Sequence, residues 1–123
     1  MHKTGGIIFY RTTNLKKLHN FYIDLVGASL WLDQGGCRIY KFGNMLFGFC
    51  QREEIDKGAL LTFFYPDREG VDTIYEKIKD RAEAAPADNP QYRIYHFYSV
   101  DPDNRPIEFQ YFWDKIDQRV ILQ

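Results

Sequence analysis

Residues 6–27 read GIIFYRTTNLKKLHNFYIDLVG. The segment 6–12 is rich in β-branched and aromatic side chains, which is typical of a β-strand. Thr13 and Asn14 are residue types that cap the start of a helix, and apolar residues then recur at three- and four-residue steps until Gly27. This stretch therefore predicts a strand followed by an amphipathic helix.

Three short β-like segments follow the helix. They cover Ser29–Asp33, Cys37–Phe42 and Met45–Gln51 and are separated by a Gly-Gly pair and by a Gly-Asn turn. Together with the first strand and helix, they predict a βαβββ module over about residues 1–52.

The same order recurs after the charged segment 52–57, which is the predicted linker. Residues 59–65 are expected to form a strand and a helix follows, capped by Asp67, while 81–90 is predicted as a helix end and loop. Residues 93–100 and 106–112 then form the expected closing strand pair. Four apolar pairs at one offset of 53 positions support the repeat: Ile7 and Leu60, Leu18 and Val71, Tyr22 and Tyr75, and Leu25 and Ile78. We expect a single domain over 1–123, with its second module over about 58–123.

Composition excludes several classes of protein. The chain has 123 residues, 45% hydrophobic and 27% charged, which fits one soluble globular domain. Its net charge of −1 predicts no nucleic-acid partner, and no apolar run is long enough for a membrane span. Cys37 and Cys50 are too few for a disulfide scaffold and lack zinc spacing, so we expect reduced cysteines and a cytoplasmic location.

Two segments resemble motifs of the vicinal oxygen chelate superfamily, which includes glyoxalase I, extradiol dioxygenases and bleomycin or fosfomycin resistance proteins. Asn14-Leu15 followed by HNFYIDLVG at 19–27 is similar to the family's D-L-x-x-x-x-x-F-Y-x-x-x-L-G segment, and DPDNRPIEF at 101–109 is similar to its D-P-D-G-N-x-x-E-L segment. The resemblance implies an α+β fold in which two tandem βαβββ modules form an eight-stranded, incompletely closed sheet around a concave pocket. It also implies completion of the site in a homodimer.

The resemblance further implies four metal-ligand positions, in the first and last strand of each module. They fall on Ile7, Phe47, Leu60 and Glu108, of which Glu108 alone has a donor side chain. One carboxylate does not hold Zn, Ni or Fe usefully. We therefore expect no metal ligands and no cofactor, and argue against glyoxalase and extradiol chemistry, both of which depend on a metal.

Strand alternation predicts which side chains share the concave face with these positions, although the pairing register is a hypothesis. Pairing each closing hairpin about its turn sets Arg38 and Tyr40 opposite Phe49 and Phe47. It likewise sets His96 and Tyr98 opposite Gln110 and Glu108. The predicted ligand-binding residues are Phe9, Arg11, Arg38, Tyr40, Phe47, Thr62, Phe64, Gln110 and Phe112, and the predicted catalytic residues are Glu108, His96 and Tyr98. Such an aromatic face suits a small-molecule site, or else is packed shut or buried in a dimer interface.

Three side-chain groups carry open alternatives. Glu108 is a general base or a partner for a cationic ligand group, or else it pairs with Arg11 or Arg38. His96 is an acid or base near neutral pH, or a hydrogen-bonded filler. The segment 101–105 resembles a cation-binding loop, but its Asp and Asn residues are also what a tight turn requires, and we favour the turn.

Three functions are therefore compared. The first is a metal-independent, dimeric small-molecule binding protein that sequesters an aromatic or amphipathic ligand, with Arg11 and Arg38 favouring an anionic or neutral one. The alternative is a lyase, isomerase or dioxygenase-like enzyme that uses Glu108, His96 and Tyr98 for proton transfer or holds a metal through other ligands. The third is a regulatory or dimerisation module with a filled cavity.

Overall fold

The chain forms two compact units, each with one mixed four-stranded sheet. A computed structural model describes residues 5–115, which divide into a unit over 5–56 and a unit over 57–115. The first unit contains β1 (Ile8–Thr12), α1 (Leu15–Asn20) with a π-helical continuation over Phe21–Val26, β2 (Ser29–Asp33), β3 (Cys37–Phe42) and β4 (Met45–Gln51). The second unit contains β5 (Leu61–Phe64), α2 (Arg68–Ile78) with a 3₁₀ turn over Lys79–Arg81, β6 (Ala87–Asn89), β7 (Ile94–Val100) and β8 (Pro106–Phe112).

Both sheets have the same topology. Their strand orders are β1-β4-β3-β2 and β5-β8-β7-β6, and in each the first strand lies parallel to the last while the other pairs are antiparallel. The predicted α+β fold of two tandem βαβββ modules is confirmed. Its eight strands are arranged as two four-stranded sheets.

Helix α1 begins where the capping residues predict. The Asn14 side chain accepts a hydrogen bond from the backbone N–H of Lys17 at 3.1 Å, and the helical segment ends at Gly27 with φ of 86°. The segment Phe21–Val26 is π-helical, which adds a residue to the turn and rotates the buried face. As a result Val26 is buried and the predicted stripe residue Leu25 is only half-buried.

Helix α2 follows the predicted pattern closely. The Asp67 side chain accepts from the backbone N–H of Gly70 at 2.9 Å, which satisfies an otherwise unpaired donor of the first turn. Val71, Ile74 and Ile78 are buried against the second sheet. Each helix therefore covers one side of its own sheet and leaves the other side, here called the open face, to carry the remaining side chains.

Strand β6 lies inside the segment 81–90, which the sequence predicts as helix end and loop. This prediction is wrong for Ala87–Asn89, which pairs with β7. The Asp88 carboxylate accepts hydrogen bonds from the guanidinium of Arg68 at 2.7 Å and from the indole of Trp113 at 2.9 Å. The strand is short and poor in β-forming residues, so tertiary contacts of this kind hold it in place.

The segment 101–105 forms a turn around a buried ion pair, as favoured from the sequence. Arg105 is fully buried, and its guanidinium lies 2.6 Å from the Asp101 carboxylate. Asp101 also accepts from the backbone N–H groups of Asp103 and Arg105, and Asn104 takes a positive φ of 59°. The Asp103 carboxylate lies 3.7 Å from the same guanidinium, so both aspartates neutralise the buried arginine.

Cys37 and Cys50 form a disulfide bond, whereas the sequence analysis expects reduced thiols. The two residues are direct partners in the β3–β4 ladder, with a Cα–Cα distance of 4.0 Å. The predicted hairpin register, with Arg38 opposite Phe49, also sets Cys37 opposite Cys50, whereas the expectation of reduced thiols rests on cysteine count and spacing. No helix within residues 5–115 is long and apolar enough to cross a membrane.

Candidate functional site

The open face of the second sheet brings together the predicted residues of the second module. The β7–β8 register pairs His96 with Gln110 and Tyr98 with Glu108, as predicted. The parallel β5–β8 register pairs Thr62 with Glu108. Because side chains two residues apart on a strand point the same way, the seven predicted site residues of this module share this face. They are Thr62, Phe64, His96, Tyr98, Glu108, Gln110 and Phe112.

Glu108 lies at the centre of a hydrogen-bonded group on this face. Its Oε2 lies 2.7 Å from Nδ1 of His96, and its Oε1 accepts from the Thr62 hydroxyl at 2.9 Å. The side chains of His96 and Glu108 are only 13% and 8% exposed, respectively. Burial of this depth needs such partners, because an unpaired carboxylate would be costly to remove from water.

The partners of Glu108 decide one open alternative. Within the second unit the carboxylate is already paired, with His96 and Thr62, so its burial does not depend on Arg11 or Arg38. His96 contacts Glu108 through Nδ1, so Nε2 is the ring nitrogen that this hydrogen bond does not use. A carboxylate that orients an imidazole in this way is compatible with both a structural and a proton-transfer role.

Tyr98 lies beside this group and is 42% exposed. Its ring meets the His96 ring edge to face, with centroids 5.0 Å apart. Partial burial, and then the negative charges of Glu108 and Glu83, raise the pKa of the Tyr98 hydroxyl above its ordinary value. The hydroxyl therefore remains a protonated hydrogen-bond donor at neutral pH.

The other end of the open face is aromatic. The rings of Phe64 and Phe112 contact each other edge to face at 5.5 Å, and both side chains are half-buried, as is Gln110 between them. This end offers apolar area with one amide group. It differs chemically from the acidic and hydroxylic end at Glu108 and Tyr98.

Two cavities lie beside Tyr98 within the second unit. The larger, of about 700 Å³, is lined by residues 57–60, Arg81, Glu83, 98–100 and Pro106. The smaller, of about 200 Å³, is lined by residues 83–85, Ala87 and 96–98. Glu83 and Tyr98 line both cavities, and His96 lines the smaller one. The larger cavity matches the size range of small-molecule sites.

The first sheet does not bring its predicted residues to one face. Phe9 and Arg11 lie on the open face, where their β4 partners are Gly48 and Cys50. Tyr40 and Phe47 are instead fully buried on the side that faces the helix, where the Phe47 ring contacts that of Tyr22 at 5.2 Å. Their assignment to the concave face is therefore wrong.

A one-residue shift explains the error. In the first sheet, β1 pairs Phe9 with Gly48, and in the second sheet, β5 pairs Thr62 with Glu108. Phe9 and Thr62 are equivalent residues of the repeat, because they are 53 positions apart. The first-module counterpart of Glu108 is therefore Gly48 and not Phe47. A shift of one residue moves every side chain of a strand to the opposite face.

The two arginines expected at the ligand are engaged elsewhere. The Arg11 guanidinium pairs with Asp56 at 3.2 Å and with Glu54 at 3.4 Å, in the predicted linker segment. Arg38 lies on the helix-facing side of the first sheet, with its Nε 3.8 Å from the Asp33 carboxylate. The preference for an anionic or neutral ligand, which rests on these two residues, therefore has no support in their positions.

The described residues do not fit the metal that the resemblance implies. With the corrected register the four positions are Ile7, Gly48, Leu60 and Glu108, again with a single donor side chain. A Cβ atom on Gly48 would stand 2.8 Å from the Phe9 ring, so that ring lies where a longer side chain would begin. Across 5–115 no group of three His, Cys, Asp or Glu side chains converges on a metal position.

Comparisons with known proteins agree with the architecture. No family model matches the sequence, and no curated protein sequence matches it significantly. Among solved structures, a glyoxalase/bleomycin resistance protein/dioxygenase from Alicyclobacillus acidocaldarius is 16% identical, with a TM-score of 0.71 over 96% of this chain and 96% of its own. A glyoxalase/bleomycin resistance protein/dioxygenase family enzyme from Burkholderia phytofirmans PsJN is 17% identical, with a TM-score of 0.73 over 85% and 95%. A lactoylglutathione lyase from Agrobacterium tumefaciens is 19% identical, with a TM-score of 0.67 over 85% and 90%.

These likenesses establish the fold. The chain has the fold of the glyoxalase/bleomycin resistance/dioxygenase proteins, which agrees with the resemblance found in its sequence motifs. At 16% to 19% identity the structures share architecture with this chain and leave its chemistry to its own residues.

Proposed function

We propose that this chain is a metal-independent small-molecule binding protein, which holds an aromatic or amphipathic ligand beside Tyr98 in the second unit. The observation that carries the proposal is the cavity of about 700 Å³ that Tyr98 lines. Small-molecule sites combine apolar walls with a few polar groups that orient the ligand. Leu60, Val100 and Pro106 supply apolar walls here, and the Tyr98 ring supplies a stacking surface.

The polar groups of the cavity favour an amphipathic ligand. Lys57 and Arg81 contribute positive charge at its lining and Glu83 contributes negative charge. A ligand with an aromatic body and a polar end therefore finds a partner for each part. Lys57 and Arg81 thus take the ligand-orienting role that the sequence analysis expects of Arg11 and Arg38.

A screen of aromatic amphiphiles by thermal shift tests the proposal, since a ligand that binds the native state raises the unfolding temperature. Leu60→Asp places a charge in the apolar wall and is expected to abolish the shift produced by any hit. Ile8→Asp changes a similarly exposed apolar residue of the first sheet and is the matched control. Loss of the shift in both variants, or in neither, would contradict the assigned position.

A second candidate function is a metal-free lyase or isomerase, favoured by the 2.7 Å contact between His96 and Glu108. With Nδ1–H donated to the carboxylate, the Nε2 lone pair accepts a proton from a carbon acid. Glu108 then stabilises the resulting imidazolium, and Tyr98 donates a hydrogen bond to the developing oxyanion. Solvent deuterium incorporated into a bound carbonyl compound, and lost in His96→Gln, would favour this enzyme over simple sequestration.

We also propose that the protein acts as a homodimer. Leu30, Trp31 and Leu32 are all exposed on β2, an edge strand of the first sheet. A contiguous exposed apolar strand of this kind marks an association surface, and a second copy is the partner that the family resemblance implies. Light scattering is expected to give twice the chain mass for the wild type and the chain mass for Trp31→Lys, whereas a wild-type monomer would contradict the proposal.

A further inference from the structure

The Cys37–Cys50 disulfide joins two strands, β3 and β4, that are already paired with each other in the sheet. The β3–β4 ladder runs from the Cys37–Cys50 pair to the Phe42–Met45 pair beside the Gly43-Asn44 turn. Backbone pairing therefore holds the two cysteines opposite each other whether or not their sulfur atoms are bonded. The reduced thiols keep the geometry that is needed to form the bond again.

The disulfide occupies the counterpart of the candidate site in the other unit. By the strand correspondence that matches Gly48 to Glu108, Cys50 takes the position of Gln110. Cys37 pairs with Cys50 as His96 pairs with Gln110, so Cys37 takes the position of His96. The open face that carries an imidazole and a carboxylate in the second sheet carries two sulfur atoms in the first.

The two sulfur atoms differ in their surroundings. Cys37 is half-buried at the start of β3, whereas Cys50 is buried and is the direct β4 partner of Arg11. The difference in exposure makes Cys37 the more accessible point of attack for an external thiolate and leaves Cys50 as the buried leaving group.

We propose that Cys37 and Cys50 form a reversible redox site that exchanges with low-molecular-weight thiols. A thiolate attacks Sγ of Cys37, the Sγ–Sγ bond breaks, and Cys50 leaves as a thiolate. A second thiolate then attacks the outer sulfur of the mixed disulfide, which releases the Cys37 thiolate and a small-molecule disulfide. Two thiols are oxidised and the protein disulfide is reduced by two electrons, so the step balances.

Redox titration of the folded full-length protein tests this proposal. The protein is equilibrated in buffers of reduced and oxidised glutathione, quenched with acid, alkylated, and weighed by mass spectrometry. We expect both cysteines to become alkylated together in the reduced buffer without denaturant, and the disulfide to return in the oxidised buffer. Far-UV circular dichroism is expected to be the same in both states.

Two variants sharpen the test. Cys37→Ser is expected to leave Cys50 largely unreactive toward oxidised glutathione, whereas Cys50→Ser leaves Cys37 readily glutathionylated. The proposal is overturned if the bond opens only after the protein unfolds, if the reduced chain loses its sheet signal, or if the disulfide does not return.

Discussion

Nδ1 of His96 lies 2.7 Å from Oε2 of Glu108, although the direct β7 partner of Glu108 is Tyr98. The imidazole therefore reaches diagonally across the sheet, a distance that long side chains can span. Thr62 approaches the same carboxylate from β5, on the other side of β8. Side chains from the two flanking strands, β5 and β7, thus contact one buried carboxylate on β8 between them.

Removal of this carboxyl group is expected to destabilise the fold. Glu108→Ala leaves the His96 ring nitrogen and the Thr62 hydroxyl without their partner, at a cost of about 1–3 kcal/mol in the free energy of unfolding. Glu108→Gln keeps an acceptor oxygen and is expected to lose less. Denaturant unfolding measures both variants, with Gln110→Ala, on the same strand and face, as control. Equal stability of Glu108→Ala and the wild type would contradict the role given to the carboxylate.

Alkaline pH is expected to weaken the first unit through Tyr40. Burial, as the largest cause, raises the pKa of Tyr40 to about 12, while an unfolded tyrosine titrates near about 10. The folded state therefore binds the phenolic proton more tightly than the unfolded state. This contribution to stability is fully present below about pH 10 and is lost as the pH rises toward about 12.

Urea unfolding of wild type and Tyr40→Phe between neutral and alkaline pH checks this effect. The stability of the variant is expected to fall less steeply above about pH 10. Tyr92→Phe, at an exposed position, is the control and is expected to keep the wild-type slope. Identical slopes for all three proteins would show that Tyr40 is not the group responsible.

Reduction of the disulfide is expected to lower stability without unfolding the protein. The two cysteines are 13 positions apart, and closing a loop of this size is worth about 3 kcal/mol in the chain-entropy account. Chemical unfolding with and without reductant measures the difference. Cys37→Ser combined with Cys50→Ser is the control, because reductant should not change its stability. A wild-type value that reductant leaves unchanged would contradict the expectation.

The buried ion pair of the 101–105 turn is expected to be sensitive to truncation. Asp101→Ala removes the carboxylate at 2.6 Å from the fully buried guanidinium of Arg105 and leaves that of Asp103 at 3.7 Å, at a cost of up to about 3–5 kcal/mol. Asn104→Gly, in the same turn and at a positive φ, is the control and should be nearly neutral. Thermal unfolding distinguishes them, and similar effects of the two changes would contradict this account.

The sequence predicts the local parts of this fold well. β2, β3, β4 and β8 have the predicted bounds, and both helices begin at the predicted capping residues. The hairpin registers are also confirmed, because a short turn such as Gly43-Asn44 fixes how its two strands pair. Local sequence signals thus predict the bounds of these strands and helices and the pairing of the antiparallel hairpins.

Pairings between distant segments are what the sequence does not determine. The β1–β4 pair is parallel and has no turn to fix its register, so the sequence predicts Phe47 on the face that Gly48 occupies. Strand β6 depends on side chains from α2 and from beyond β8. The disulfide, in contrast, follows from the predicted hairpin register, and the expectation of reduced thiols is wrong because it rests on cysteine count and spacing instead. In the second sheet strand alternation predicts the residues of the open face, because the observed pairings agree with the predicted ones.

The central claim is that the cavity beside Tyr98 binds an amphipathic aromatic molecule without a metal. The most direct measurement is titration of chelator-treated protein with 8-anilinonaphthalene-1-sulfonate, followed by fluorescence. The account predicts saturable binding at one site per chain that is unchanged by chelator, is weakened about tenfold or more by Tyr98→Ala, and is retained in Ile8→Asp. Binding that requires added divalent metal, or that Tyr98→Ala leaves unchanged, would contradict it.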